Sequence, residues 1–181
     1  SALWCPLARA ADTYTADADH TFASFAFDHL GYSQQRGRFD TVRATVQLDT
    51  ENRTGSVQVV IDVASISTGS AAFNQTLLGS AFFDAAQFPD MRFSGTELAF
   101  DKFDRIERIA GELTIKGITR QVTLRVSHFH CMVHPLLRRQ ACGANADATI
   151  RRSDFGLGKF APLVGDTVTI TIAIEALRST P

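Results

Sequence analysis

The chain has 181 residues, of which 45% are hydrophobic and 20% charged, the composition of a globular domain rather than a disordered or fibrous chain. Eighteen Lys and Arg against 19 Asp and Glu leave a net charge of −1, which argues against a nucleic-acid-binding surface and its basic excess. Fourteen Phe against two Tyr and one Trp give aromatic surface almost without polar handles, suited to a Phe-rich core or to holding something apolar.

In chain order, residues 1–10 are apolar and end in Ala8-Arg9-Ala10, a small-x-small pattern like that before a signal peptidase cut, although the basic start of such a signal is missing. They are expected to be the remnant of an export signal, or an added apolar arm, with residues 11–181 forming a single domain. A weak strand covers Thr21 to Phe27. Val42, Ala44, Val46 and Leu48 then alternate with polar residues, and after an Asp49 to Gly55 turn come Val57, Val59, Ile61 and Val63, a pair of hairpin strands. Further strands are predicted over Met91 to Phe100, Ile106 to Ile115, Val122 to Val126 after a Lys116-Gly117 turn, and Ala144 to Ile150. Val168, Ile170, Ile172 and Ile174 alternate with Thr167, Thr169 and Thr171 in the cleanest strand of all.

From Thr68 to Phe88 the period changes. Phe73, Leu77, Leu78, Ala81 and Phe82 recur at helical spacing and Pro89 stops continuation, predicting a helix, or a helix and a turn, that covers one end of a closed sheet. The expected fold is all-β, an antiparallel barrel of about eight strands. Such an interior is either filled by side chains or holds one small ligand, and alternation looks the same in both. No stretch reaches the roughly 18 consecutive apolar residues of a spanning helix.

Several ordered segments carry a resemblance. They are Tyr14 to Thr21 with Phe25, Asp28-His29-Leu30-Gly31, Arg36 to Asp40, Ile61 to Ile66 with Thr68-Gly69, Leu77 to Asp84, Phe88-Pro89, Gly111 to Leu124, Ile150 to Gly156, and Val164-Gly165-Asp166 through Glu175. Together, from Tyr14 to about Leu177, they resemble the YceI-like family. The resemblance implies a lipocalin-like barrel whose apolar channel binds a polyisoprenoid or another long-chain lipid, in the periplasm or outside the cell. The implied lining is Phe25, Phe27, Leu30, Phe73, Leu77, Phe82, Phe93, Phe100, Val122, Leu124, Phe155 and Leu157. No cofactor is implied beyond such a lipid, and a second copy of the chain or a membrane redox enzyme are the partner classes left open.

Cys131 and Cys142 enclose a short segment containing Pro135, and a disulfide between them is expected in an oxidising compartment. Their parities disagree, because Cys131 alternates with His130 while Cys142 shares a face with Ala144 and Ala146, so a bulge is required and Gly143 is its expected place. Cys5 is the odd cysteine. His128 and His130 share parity with Val122 to Val126, which places His128 at the channel mouth against a polar head group. With Cys131 bridged and no carboxylate nearby, no metal is expected. Arg36, Arg38, Arg151 and Arg152 read as solvated strand ends. Asp154-Phe155-Gly156 lacks the other kinase motifs, Asn74-Gln75-Thr76 is a sequon by pattern alone, and no catalytic constellation is visible, so the chain is not expected to be an enzyme.

Overall fold

The computed structural model describes residues 11–179, and the expectations for residues 1–10 and Cys5 lie outside them. Eleven strands form a single sheet: β1 (Asp12–Ala16), β2 (Phe22–His29), β3 (Ser33–Phe39), β4 (Val42–Asp49), β5 (Thr54–Asp62), β6 (Ile66–Ser67), β7 (Asp90–Phe100), β8 (Ile106–Ile115), β9 (Ile118–Val133), β10 (Gln140–Arg151) and β11 (Val164–Arg178). One helix, α1 (Ala71–Leu78), lies between β6 and β7.

The eleven strands make eight staves, because three staves are broken. β1 and β2 run one after the other along β11, opposite Ala176 to Arg178 and Val164 to Ala173 respectively, interrupted by a turn at Ala18–His20. β3 and β4 follow them in the same way, β3 pairing with β2 and β4 with β1. β5 pairs with β4, and after a turn at Val63–Ser65 the short β6 pairs with the end of β3. Pairing of β1 and β2 with β11 closes the antiparallel barrel, which leaves no free sheet edge there. The fold is the lipocalin-like barrel that the resemblance implies.

β1, β3 and β6 escape the period-of-two reading for a physical reason. Ser33-Gln34-Gln35-Arg36-Gly37-Arg38-Phe39 has almost no apolar face, since its inner side is covered by other residues; Phe25 lies over Gly37. A Cβ on Gly37 would stand 2.5 Å from the Phe25 ring, so only glycine leaves room for that ring. The helical segment is shorter than its apolar pattern. Ser70 caps α1 by accepting from the Phe73 amide at 3.3 Å, and beyond Leu78 the chain closes in turns, with Phe83 and Ala85 donating to Leu77 and Leu78. Asn74 spends its side chain locally, accepting from the amide and hydroxyl of Thr68.

The core fills one end of the barrel. Tyr14, Leu48, Ile106 and Ala176 are buried there, with Phe100, Phe129 and Cys142 packed against them. The other end is built from α1, the β2–β3 and β8–β9 turns and the segment 156–163. At this end Leu77, Phe155 and Leu157 are buried, while Thr76 and Phe160 remain exposed.

Candidate ligand cavity

Between the plugged end and α1 the barrel encloses a cavity of about 330 Å³. Alternation supplies its wall. Ile170, Ile172 and Ile174 of β11 face inward beside Ala144, Ala146 and Ile150 of β10 and Val122, Leu124 and Val126 of β9, while Thr169, Thr171 and Asp147 take the opposite face. Val57, Val59 and Ile61 of β5, Met91 and Phe93 of β7, and Ile109, Leu113 and Ile115 of β8 complete it. Aromatic rings line the open end: Phe25 and Phe39 are 5.6 Å apart, Phe39 meets Phe83 edge-on at 5.6 Å, and Phe27 and Phe73 are 6.5 Å apart. The lining is almost wholly carbon, and the interior is not filled by its own side chains.

Of the residues expected to line a channel, Phe25, Phe27, Phe73, Leu77, Phe82, Phe93, Val122, Leu124 and Leu157 stand in this wall. Leu30, Phe100, His128 and Phe155 stand outside it. Leu30 and Gly31 both have positive φ, 58° and 73°, and Tyr32 donates to His29 across them at 3.0 Å. This three-residue hairpin connection, Leu30 to Tyr32, puts Leu30 at its tip, outside the barrel. Phe100 packs at the plugged end under Arg53. Phe155 is 1% exposed within the solid core; Gly156, at φ 71°, ends its turn in the left-handed region.

His128 is turned outward by a bulge. Asn145 pairs with His128 and Ala146 with Val126, so Ser127 is the extra residue on β9. It reverses the parity of everything after it. Phe129 therefore packs inward, and His128 and His130 are exposed on the outer face. The same bulge brings Cys131 to the face of Cys142, and the two form a disulfide with Cα atoms 4.0 Å apart. The bulge expected at Gly143 is thus at Ser127, on the opposite strand.

Arg152 is buried rather than solvated, 8% exposed. Its Nε donates to the Gly165 carbonyl at 2.8 Å, Nη1 to the carbonyls of Leu157 and Lys159, and Nη2 to that of Val164 at 2.6 Å. Burial lowers its pKa below the ordinary arginine value, with Asp166 opposing. Its stem lines the cavity while its guanidinium folds the segment 156–165 over the open end. Burial works against ionisation of Asp166, but the Ser153 hydroxyl and amide and Arg151 donate to it and hold its carboxyl below the usual value. Arg38 pairs with Asp40 at 2.6 Å, and Arg36 donates to Gln34.

Among the described residues, one histidine and carboxylate group could hold an ion, Asp17 with His20 and Glu175 on the outer surface. There the His20 ring is hydrogen-bonded to Asp17 at 2.7 Å. No helix among the described residues is long and apolar enough to cross a membrane.

The arrangement can take up an apolar chain; Ser24, His29, Thr76 and Arg152 are the polar residues of its lining. The family model of the YceI-like domain matches residues 14–176. A UPF0312 protein of Enterobacter sp. (strain 638) is 31% identical over 163 residues, covering 90% of this chain and 83% of that protein. Protein YceI of Escherichia coli O157:H7 is 30% identical over 163 residues, covering 90% and 84%. Among solved structures, Burkholderia cenocepacia BcnA superposes with a TM-score of 0.76 at 26% identity, covering 88% of this chain and 98% of that one. A polyisoprenoid binding domain from Saccharophagus degradans shares the fold at a TM-score of 0.65 and 18% identity, covering 94% and 100%. With a carbon-lined barrel interior and a family match spanning nearly all of its length, this chain belongs to the YceI-like family.

Proposed function

We propose that this protein binds a long-chain apolar lipid, a polyisoprenoid first among them, and carries or sequesters it in the barrel interior. The carrying observation is a cavity of about 330 Å³ with an almost purely carbon wall. Each methylene moved from water into such a wall gains about 0.8 kcal/mol, so a long tail is held without hydrogen bonds. The solved Saccharophagus degradans domain, described as polyisoprenoid binding, supports the choice of ligand class. The Cys131–Cys142 bridge supports an oxidising location, periplasmic or secreted. In this reading the protein is a binding protein and not an enzyme.

Organic extraction of protein purified without detergent, followed by mass spectrometry, tests it. A lipid with a chain of repeated isoprene units at near-stoichiometric yield is expected. Recovery of water-soluble metabolites only, or of no lipid after exposure to polyprenols, overturns it.

A further inference from the structure

A lipid that prefers a carbon-lined cavity to water spends little time free in water, so its route into the barrel matters. The exposed members of the cavity lining, Thr76 of α1 and Phe160 of the segment 156–163, put its opening at the end of the barrel where these two elements stand, and four of the nine large hydrophobic residues exposed among the described residues stand beside it. Tyr32 is 86% exposed, Leu163 71%, Phe160 58% and Leu30 45%. These four belong to two loops that are tied together, the Leu30 amide donating to the Leu163 carbonyl at 3.2 Å. Phe160 belongs to both surfaces: it lines the cavity, packs against Phe82 at 6.4 Å, and still presents its ring to solvent. Apolar surface therefore runs unbroken from the outside to the interior. Lys159 stands with its ammonium 5.0 Å from the Phe160 ring, where its cation would meet lipid phosphate as the ring enters the acyl layer. Tyrosine at such a rim suits the boundary between headgroups and hydrocarbon.

We infer that this rim docks on a lipid bilayer and passes the ligand directly between membrane and cavity. The inference rests on the lipid-binding reading. A protein partner would fit exposed apolar residues in general, but the continuity with a lipid-sized interior favours the lipid phase itself. The opposite end of the barrel supplies the comparison: Met132, Val133, Leu136 and Leu137 are also exposed, at the β9–β10 hairpin, but the residues packed into the core there, Phe129 and Cys142, do not line the cavity.

The test uses the whole chain and Tyr32→Asp/Leu163→Asp, two positions that do not line the cavity, with Leu136→Asp/Leu137→Asp as the comparison. Flotation with phosphatidylcholine vesicles containing some phosphatidylglycerol measures docking. Transfer of a dansyl-labelled geranylgeraniol out of those vesicles measures delivery, and the same probe added from ethanol measures equilibrium binding. The rim variant is expected to lose flotation and to slow transfer by about tenfold or more, with equilibrium binding and thermal unfolding unchanged. The hairpin variant should behave as the wild type. Equal flotation and transfer for the wild type and the rim variant would overturn the docking inference, and would leave a protein partner as the rim's occupant. Failure of the wild type to bind the probe from ethanol would instead overturn the lipid-binding reading, and flotation would still report on docking.

Discussion

Cys131 lies directly across the β9–β10 ladder from Cys142, with 4.0 Å between their Cα atoms, because Ser127 is looped out of register four residues earlier. Closing a loop with a sequence separation of 11 contributes about 2 to 3 kcal/mol in the chain-entropy picture. Cys131→Ser/Cys142→Ser is therefore expected to lower the unfolding free energy by that amount in urea, with ligand retention preserved, since neither cysteine lines the cavity. An unchanged midpoint would show that the bridge restrains nothing.

Deleting Ser127 tests the bulge itself. Without it, Val126, His128 and Phe129 alternate regularly against Ala146, Asn145 and Ala144, so Phe129 stays inward, His128 outward and Cys131 opposite Cys142. The expected result is a folded deletion variant that keeps the bridge, with neither of these cysteines titrating as a free thiol. Two free thiols in a folded deletion variant would contradict Ser127 as the extra residue.

Gly37→Ala places a methyl group 2.5 Å from the Phe25 ring. The ring must move toward the cavity, which costs about 1 to 3 kcal/mol as overpacking does and shortens the space for a tail. Thermal unfolding should fall, and affinity should fall more for long prenyl probes than for short ones. A uniform loss across chain lengths would place the ring's displacement elsewhere.

Arg152→Met keeps the stem and removes the donors that four carbonyls share. Each carbonyl left without a partner costs about 1 to 3 kcal/mol if it stays buried, so the segment 156–165 is expected to open. Trypsin should then cut after Lys159 faster than in the parent. Arg152→Lys should rescue little, because one ammonium cannot reproduce the planar fork.

The exposed His20–Asp17 pair predicts a pH signature. Its hydrogen bond raises His20 above the ordinary 6.5 and lowers Asp17 below the ordinary 3.8. The histidine's contribution is complete below its unfolded pKa and is lost as pH rises through the folded value. The aspartate's is complete above its unfolded pKa and is lost as pH falls through the folded value. The pair is thus strongest between 3.8 and 6.5. In proton NMR, His20 should titrate above 6.5 in the parent and return toward that value in Asp17→Asn; the same midpoint in both would contradict the pairing.

The barrel was legible wherever one face of a strand is apolar. Ile170, Ile172 and Ile174 announce β11 and, by the same alternation, the wall of the cavity, a consequence open to sequence reading that the choice of aromatic residues passed over. β3 was not legible, because Gly37 yields its inner face to Phe25. Parity places Val122 and Leu124 in the cavity wall, where they stand, but misplaces the side of His128, since a one-residue bulge at Ser127 leaves no periodic trace in residues that are all compatible with a strand. Leu30 reads as core by its chemistry and is placed outside by a turn geometry that Leu30-Gly31 only partly signals. Arg152 reads as solvated because its partners are carbonyls, which every sequence has.

Native mass spectrometry with a polyprenol tests the central claim most directly, comparing the parent with Ala146→Trp, whose indole would occupy the middle of the cavity wall. A single lipid adduct on the parent and its loss from a folded Ala146→Trp variant is the predicted result. No adduct on the parent, or an equal adduct on both, would contradict a ligand held inside the barrel.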